Sequence, residues 1–283
     1  MSSLFAALFS PDNSFLRFAF MASALASIAF GIMGTYVVTR RIGYLAGAIA
    51  HCVFGGIGFA LFLKHRFGID WLDPIHGALA SAVVAAILIG TVSIKASERE
   101  DSIIGALWAV GMASGLLFID LTPGYFELSS YLFGDILLIS QHDIFLIAIL
   151  DLVIVGLVIR YHPVFQAICF DEEFATLRGI NTPVYYILLL IMTAVTVVLL
   201  VRLVGVIMVI AMLTLPAATA SAFSHRLTGI MGLAALFALF FNWTGLAISY
   251  NLDLSSGAVI ITVAGLTYLI LMTLKHMKKS RSN

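Results

Sequence analysis

Long apolar runs separated by short polar links organise this chain. Each run is long enough to cross a bilayer as a helix, which takes roughly 20 apolar residues for a ~30 Å hydrocarbon core. The pattern predicts spans over 15–38, 43–63, 75–94, 102–120, 143–160, 183–202, 204–223, 229–249 and 256–274. That gives an all-α integral membrane protein of about nine transmembrane helices. Only a pinch at Arg202-Leu203-Val204-Gly205 divides the stretch 183–223, so the count ranges from eight to ten. The whole chain, 1–283, reads as one transmembrane domain.

Two stretches break the pattern. Segment 121–142 holds Pro123-Gly124, Glu127 and Tyr131-Leu132-Phe133-Gly134-Asp135, and its uncharged part is too short to cross. We read it as a re-entrant or interfacial helix, since irregular backbone at that depth survives only inside protein or beside a cavity. The second break is a polar island from about 161 to 182. There Asp171-Glu172-Glu173 starts a short helix, where acids suit the positive end of the helix dipole. Gly179 ends it and Pro183 opens the next span.

Charge supplies the orientation. With nine spans and the N-terminus outside, the inner links carry Arg40, Arg41, Lys95, Arg99, Arg160, Arg178, Arg226, Lys275, Lys278, Lys279 and Arg281, most of the 15 basic residues. This bias obeys the positive-inside rule and puts the island and the C-terminal tail in the cytoplasm. The first run is read as a retained span, because a cleaved signal has its basic residues before the apolar run and here Arg40-Arg41 follow it.

Composition agrees: 61% hydrophobic and 11% charged residues, against roughly 25% charged in a soluble domain. Net charge is zero, which gives no reason to expect nucleic acid. Cys52 and Cys169 read as reduced and structural. Gly43/Gly47 and Gly111/Gly115 have the small-residue spacing that lets helix backbones approach closely in lipid. No phosphate-binding loop and no hydrolase or metalloprotease motif occurs, so no enzyme template fits. Scattered methionines read as packing filler.

Ionisable groups inside spans point to function, because each costs roughly 2.5–3.5 kcal/mol at the bilayer centre. His51 is the ninth residue of span 43–63, which places it about 13 Å along the helix, near the midplane. Asp151 has the same depth in span 143–160. Imidazole and carboxylate both suit a borderline divalent cation such as zinc or manganese. Each also has a plain structural use, His51 bonded to a backbone carbonyl and Asp151 as a hydrogen-bond partner. Pro216, in Leu213-Thr214-Leu215-Pro216-Ala217-Ala218-Thr219-Ala220, removes a helix bond and predicts a kink; Thr214 and Thr219 are available to satisfy the freed groups.

Four motifs, in this order, carry a resemblance. They are Arg40-Arg41-Ile42-Gly43-Tyr44 leading to Ala50-His51, Tyr131-Leu132-Phe133-Gly134-Asp135, Phe170-Asp171-Glu172-Glu173-Phe174-Ala175 to Gly179, and Leu215-Pro216-Ala217-Ala218-Thr219-Ala220. Together they resemble the membrane permease of bacterial ATP-binding-cassette importers for zinc, manganese and iron, over nearly the whole chain. The resemblance implies a homodimer in the bacterial cytoplasmic (inner) membrane, working with a cytoplasmic ATP-binding subunit and an extracytoplasmic metal-binding protein. Transport would be by alternating access, with no tightly bound cofactor beyond the transported divalent ion. Asp171 to Gly179, with Glu172, Glu173 and Ala175, would form the ATPase-coupling helix. His51 matches a metal-site histidine. Glu127 and Asp135 would lie near the outer vestibule and raise the local cation concentration.

One position departs from the family pattern. Family members often carry Asp four residues before that histidine, and here the residue is Gly47. Asp151, at equal depth on another helix, is a candidate replacement. Two other functions compete: a permease for iron-siderophore or cobalamin cargo, and a secondary transporter working alone. The latter has no use for a motor-docking helix.

Overall fold

The computed structural model describes residues 14–95, 100–124, Leu132, Gly134 and 139–280. Among these the secondary structure is entirely helical. In chain order the helices are α1 (Ser14–Arg40), α2 (Gly43–Phe67), α3 (Pro74–Lys95), α4 (Glu100–Asp120), α5 (Gln141–Phe170), α6 (Glu172–Leu177), α7 (Thr182–Val204), α8 (Val209–Ala220), α9 (Leu227–Leu252) and α10 (Ser256–Ser280). Eight of them are long and apolar enough to span a bilayer.

The ninth expected crossing, 204–223, is built differently. Its helix α8 has 12 residues, about 18 Å at 1.5 Å per residue, too short to cross alone. Gly205 ends α7 at φ 81°, in the region that favours glycine, and residues 205–208 form the turn into α8. This irregular backbone does not face lipid. Gly205 and Val206 are buried, and Ile207 N–H donates to Leu132 C=O at 3.2 Å. A Cβ on Gly134 would lie 2.5 Å from Gly205 N. The described part of the expected re-entrant stretch therefore packs on the α7–α8 break, as the cost of unsatisfied backbone in lipid requires. The remainder of that stretch, with Glu127 and Asp135, lies outside the described residues.

Helices α7 and α8 form the centre. α7 packs on α1, α2, α3 and α5, and α8 on α1, α2, α7, α9 and α10. Close packing elsewhere relies on absent side chains. On α4, Cβ atoms at Gly111 and Gly115 would lie 2.8 Å from the Cys52 backbone and 2.4 Å from the Phe54 ring of α2, so the Gly111/Gly115 pair does bring two backbones together.

Side-chain bonds sort the links into two faces. On one, Arg40 donates to Ile168 C=O at 3.1 Å, and Lys275 of the tail donates to Ala222 C=O at 3.3 Å. On the other, Lys64 pairs with Asp73 at 2.6 Å and Arg202 with Asp143 at 2.5 Å. The Lys64 hydrogen bond, with the nearby positive charges of Lys64, His76 and His142, holds the exposed Asp73 carboxyl below the ordinary carboxylate range. The first group joins the links expected inside; the second joins those expected outside.

Candidate functional site

The polar island is half helix extension and half a separate short helix. The expected segment 161–182 does not begin with a loop. α5 runs on through His162, Pro163 and Gln166 to Phe170, giving 30 residues, about 45 Å, well beyond the hydrocarbon thickness. The extension is held because Phe165, Ile168 and Cys169 are buried, and because Tyr36 of α1 hydrogen-bonds His162 Nδ1 at 2.7 Å. Polar residues that looked like the exit from the membrane have packing partners instead.

Asp171 then performs two roles. It closes α5, its N–H donating to Ala167 C=O. It also caps α6, its carboxylate accepting the Phe174 N–H at 2.9 Å, which satisfies one orphan donor of a helix start. Glu172 and Glu173 occupy the first turn of α6. Ala175 is fully buried against the body. Gly179, at φ 82°, turns the chain back, and Pro183 lies in the first turn of α7. The outer side of this element is apolar: Phe170, Phe174 and Leu177 are exposed, Leu177 to 86%. Phe174 and Leu177, three residues apart on α6, lie along one side, Phe170 closes α5 just before the extended Asp171, and Arg178 stacks over Phe174 at 5.1 Å.

Arg40 fastens this element to the membrane helices. It is the last residue of α1. Its guanidinium pairs with Glu172, donates to Ile168 C=O at the end of α5 and sits 5.5 Å from the Tyr186 ring of α7. A planar, five-donor cation suits such a junction better than lysine. α6, α5, α7 and α1 thus meet at one side chain. In the sequence Arg40 read as a marker of sidedness and as the start of the Arg40-Arg41-Ile42-Gly43-Tyr44 motif, with no link to α6.

His51 and Asp151 occupy separate places. His51 Nδ1 lies 2.9 Å from Gly47 C=O. The carbonyl can only accept, so Nδ1 carries the proton and Nε2 presents its lone pair, the form a metal ligand takes. The ring lies 4.7 Å from the Trp108 ring of α4. Gly47 fits this packing: a Cβ there would come 2.4 Å from Ile210 Cδ1 and 2.8 Å from Trp108 Cη2. Trp108 and Ile210 hold the space that an aspartate at 47 would need. We expect Gly47→Asp to cost about 1–3 kcal/mol by overpacking and to lower folded yield in a detergent melting assay. Adding Trp108→Ala should recover part of that loss.

Asp151 is buried on α5, and neither carboxylate oxygen has a hydrogen-bond partner. The Asp143–Arg202 pair and the Tyr161–Tyr185 ring contact set α5 against α7, bringing Asp151 level with the Thr193–Thr196 turn. Both threonine hydroxyls bond their own helix carbonyls. α5 packs on α1 and α7, whereas α2, which carries His51, packs mainly on α4 and α3; the two side chains do not share a packed face. Among the described residues no three His, Cys, Asp or Glu side chains converge on a metal-sized site.

Pro216 is buried within α8. Thr214 and Thr219 bond the carbonyls of Ile210 and Leu215; neither reaches Met212 C=O, the acceptor that Pro216 leaves without a helix donor.

An all-helical, multi-pass bundle carrying a short, capped helix with an exposed apolar side beyond the membrane helices has the architecture of a transport permease. Residues 12–275 match the ABC 3 transport family, and the chain belongs to that family, a family of metal ABC-transporter permeases. It is 41% identical over 278 residues to a probable metal transport system membrane protein of Chlamydia trachomatis, covering 98% of this chain and 93% of that one. It is 31% identical over 257 residues to the manganese transport system membrane protein MntC of Listeria monocytogenes, covering 91% and 89%. Its fold matches PsaBC from Streptococcus pneumoniae, solved in complex with Fab, with a TM-score of 0.84 and 26% identity over 96% of this chain and 95% of the other.

Proposed function

We propose that this chain is the permease subunit of an ATP-driven importer of a divalent metal ion, manganese, zinc or iron. It works as a homodimer in the bacterial cytoplasmic membrane, with a cytoplasmic ATP-binding subunit and an extracytoplasmic metal-binding protein. The observation that carries this reading is α6: capped by Asp171, tied through Glu172 to Arg40, and presenting Phe170, Phe174 and Leu177 outward. A stand-alone carrier has no use for such an element. The manganese-transport relative supports a metal ion over a siderophore or cobalamin.

The apolar side of α6 seats in the ATPase, and closure of the ATPases pushes it. Arg40 passes the displacement to the ends of α1, α5 and α7, and the helices rock between outward and inward access. No covalent step is required of the permease. His51 supplies an imidazole Nε2 to the passing ion. Asp151, a carboxylate without a partner, is a second waypoint for the cation on another helix, separate from His51. Glu127 and Asp135 serve the outer vestibule. One imidazole without an adjacent carboxylate makes a weak site, which favours release over retention.

Uptake by the purified complex in vesicles, with manganese, zinc and iron competed against one another, tests the substrate class. Saturable ATP-dependent uptake of at least one of the three is expected. Uptake of a metal chelate with none of the free ions would refute the reading.

A further inference from the structure

A cavity of about 330 Å³ opens where α5 leaves the bundle and α9 begins, at the small end of the size range of ligand sites. His162, Gln166 and Phe170 of α5 form one wall; His225, Arg226, Leu227 and Thr228 form the other. It stands apart from His51 and shares only Phe170 with the outward side of the α6 element.

Three features give its chemistry. No Asp or Glu lines it, while Arg226 and two histidines do. Two imidazoles alone would suit a metal, but a permanent cation between them opposes one. Next, the N-cap of α9 is Arg226 itself, with no side-chain cap; the first helix bond is donated by Ile230 N–H to Arg226 C=O, so the earlier amide groups remain donors. Finally, the His162 Nδ1 is engaged by Tyr36. When the phenol donates, Nε2–H is the nitrogen left to the cavity, a donor. Arginine fork, amides, imidazole and the Gln166 amide together suit a tetrahedral oxyanion such as a phosphate group.

Its position selects the source. Phe223, in the link before α9, is exposed, as aromatic rings are at a membrane interface. Lys275 reaches the same link through Ala222 C=O, and basic side chains at this level attract anionic headgroups. We propose that this cavity binds a phosphate group, that of an anionic phospholipid of the cytoplasmic leaflet, and so pins α9 to the extended end of α5.

Native mass spectrometry of the detergent-solubilised protein, with phosphatidylglycerol or phosphatidylcholine added, tests this, alongside a thermal-shift titration with inorganic phosphate. A retained phosphatidylglycerol adduct is expected, weakened about tenfold in Arg226→Gln. If that variant does not fold, His225→Gln and Arg226→Lys should each weaken the adduct while keeping the helical circular dichroism of the parent. Stabilisation by inorganic phosphate without preference for phosphatidylglycerol would overturn the lipid assignment. Equal binding of both lipids would overturn the assignment to an anionic lipid, and an adduct unchanged in folded Arg226→Gln protein would overturn the site itself.

Discussion

Replacing Arg40 by alanine should cut ATP-driven metal uptake roughly tenfold, the size of a lost coupling of 0.5–2 kcal/mol, while the permease stays folded and bound to its ATPase. The reason is the position of the guanidinium. It holds Glu172 of α6, the carbonyl that ends α5 and the Tyr186 ring of α7. Without it, α6 can still dock through Phe170, Phe174 and Leu177, but movement of α6 no longer displaces α1 and α7 together. Hydrolysis should persist and transport should fall. Arg40→Lys keeps the charge but loses the fork and should recover only part of the uptake. Glu172→Gln should resemble the alanine variant more weakly, because Ile168 and Tyr186 still hold Arg40. Gly179→Pro, at φ 82° where proline's ring cannot go, should uncouple as well. If Arg40→Ala transports at the parental rate per ATP hydrolysed, the linkage has no mechanical role.

Loss of His51 should have the largest effect on the ion itself. Second-shell partners of metal ligands are commonly worth 10–100-fold, so removing the proposed ligand in His51→Ala should lower uptake by about 100-fold or more. ATPase stimulation by the loaded binding protein should remain. Asp151→Asn separates two roles for that carboxylate. A cation waypoint predicts a several-fold fall in uptake with unchanged melting temperature. A structural burden predicts a more stable protein with parental uptake, since a buried acid without partners is costly. Normal uptake in Asp151→Asn beside a dead His51→Ala would dismiss Asp151 as a waypoint for the ion.

The membrane helices were legible in sequence because lipid enforces a length and a polarity on each of them. The places where structure and pattern part have local causes. The run 204–223 carries no charge, yet Gly205 adopts positive φ and the chain turns there; the pinch at Arg202-Leu203-Val204-Gly205 marked the place, but not that the helix after it would be only 12 residues long. Arg160 and His162 look like the end of a span, and α5 ignores them because Tyr36, more than a hundred residues earlier, satisfies His162. Asp171, Gly179 and Pro183 were readable because capping, turning and helix starts are local chemistry. Arg40 was not, because its partners come from distant segments. Trp108 was missed as an ordinary span residue; the signal was Gly47, whose missing side chain needs something to fill its place.

In the proposed mechanism a separate motor, acting on α6, drives ions through this bundle. Proteoliposomes containing the permease, with and without its ATP-binding subunit, should be loaded with binding protein and radioactive manganese or zinc, and accumulation followed with ATP supplied to the cytoplasmic face. Accumulation only when both the ATP-binding subunit and ATP are present is the predicted result. Cation flux through the permease alone, at the rate of the full complex, would contradict it.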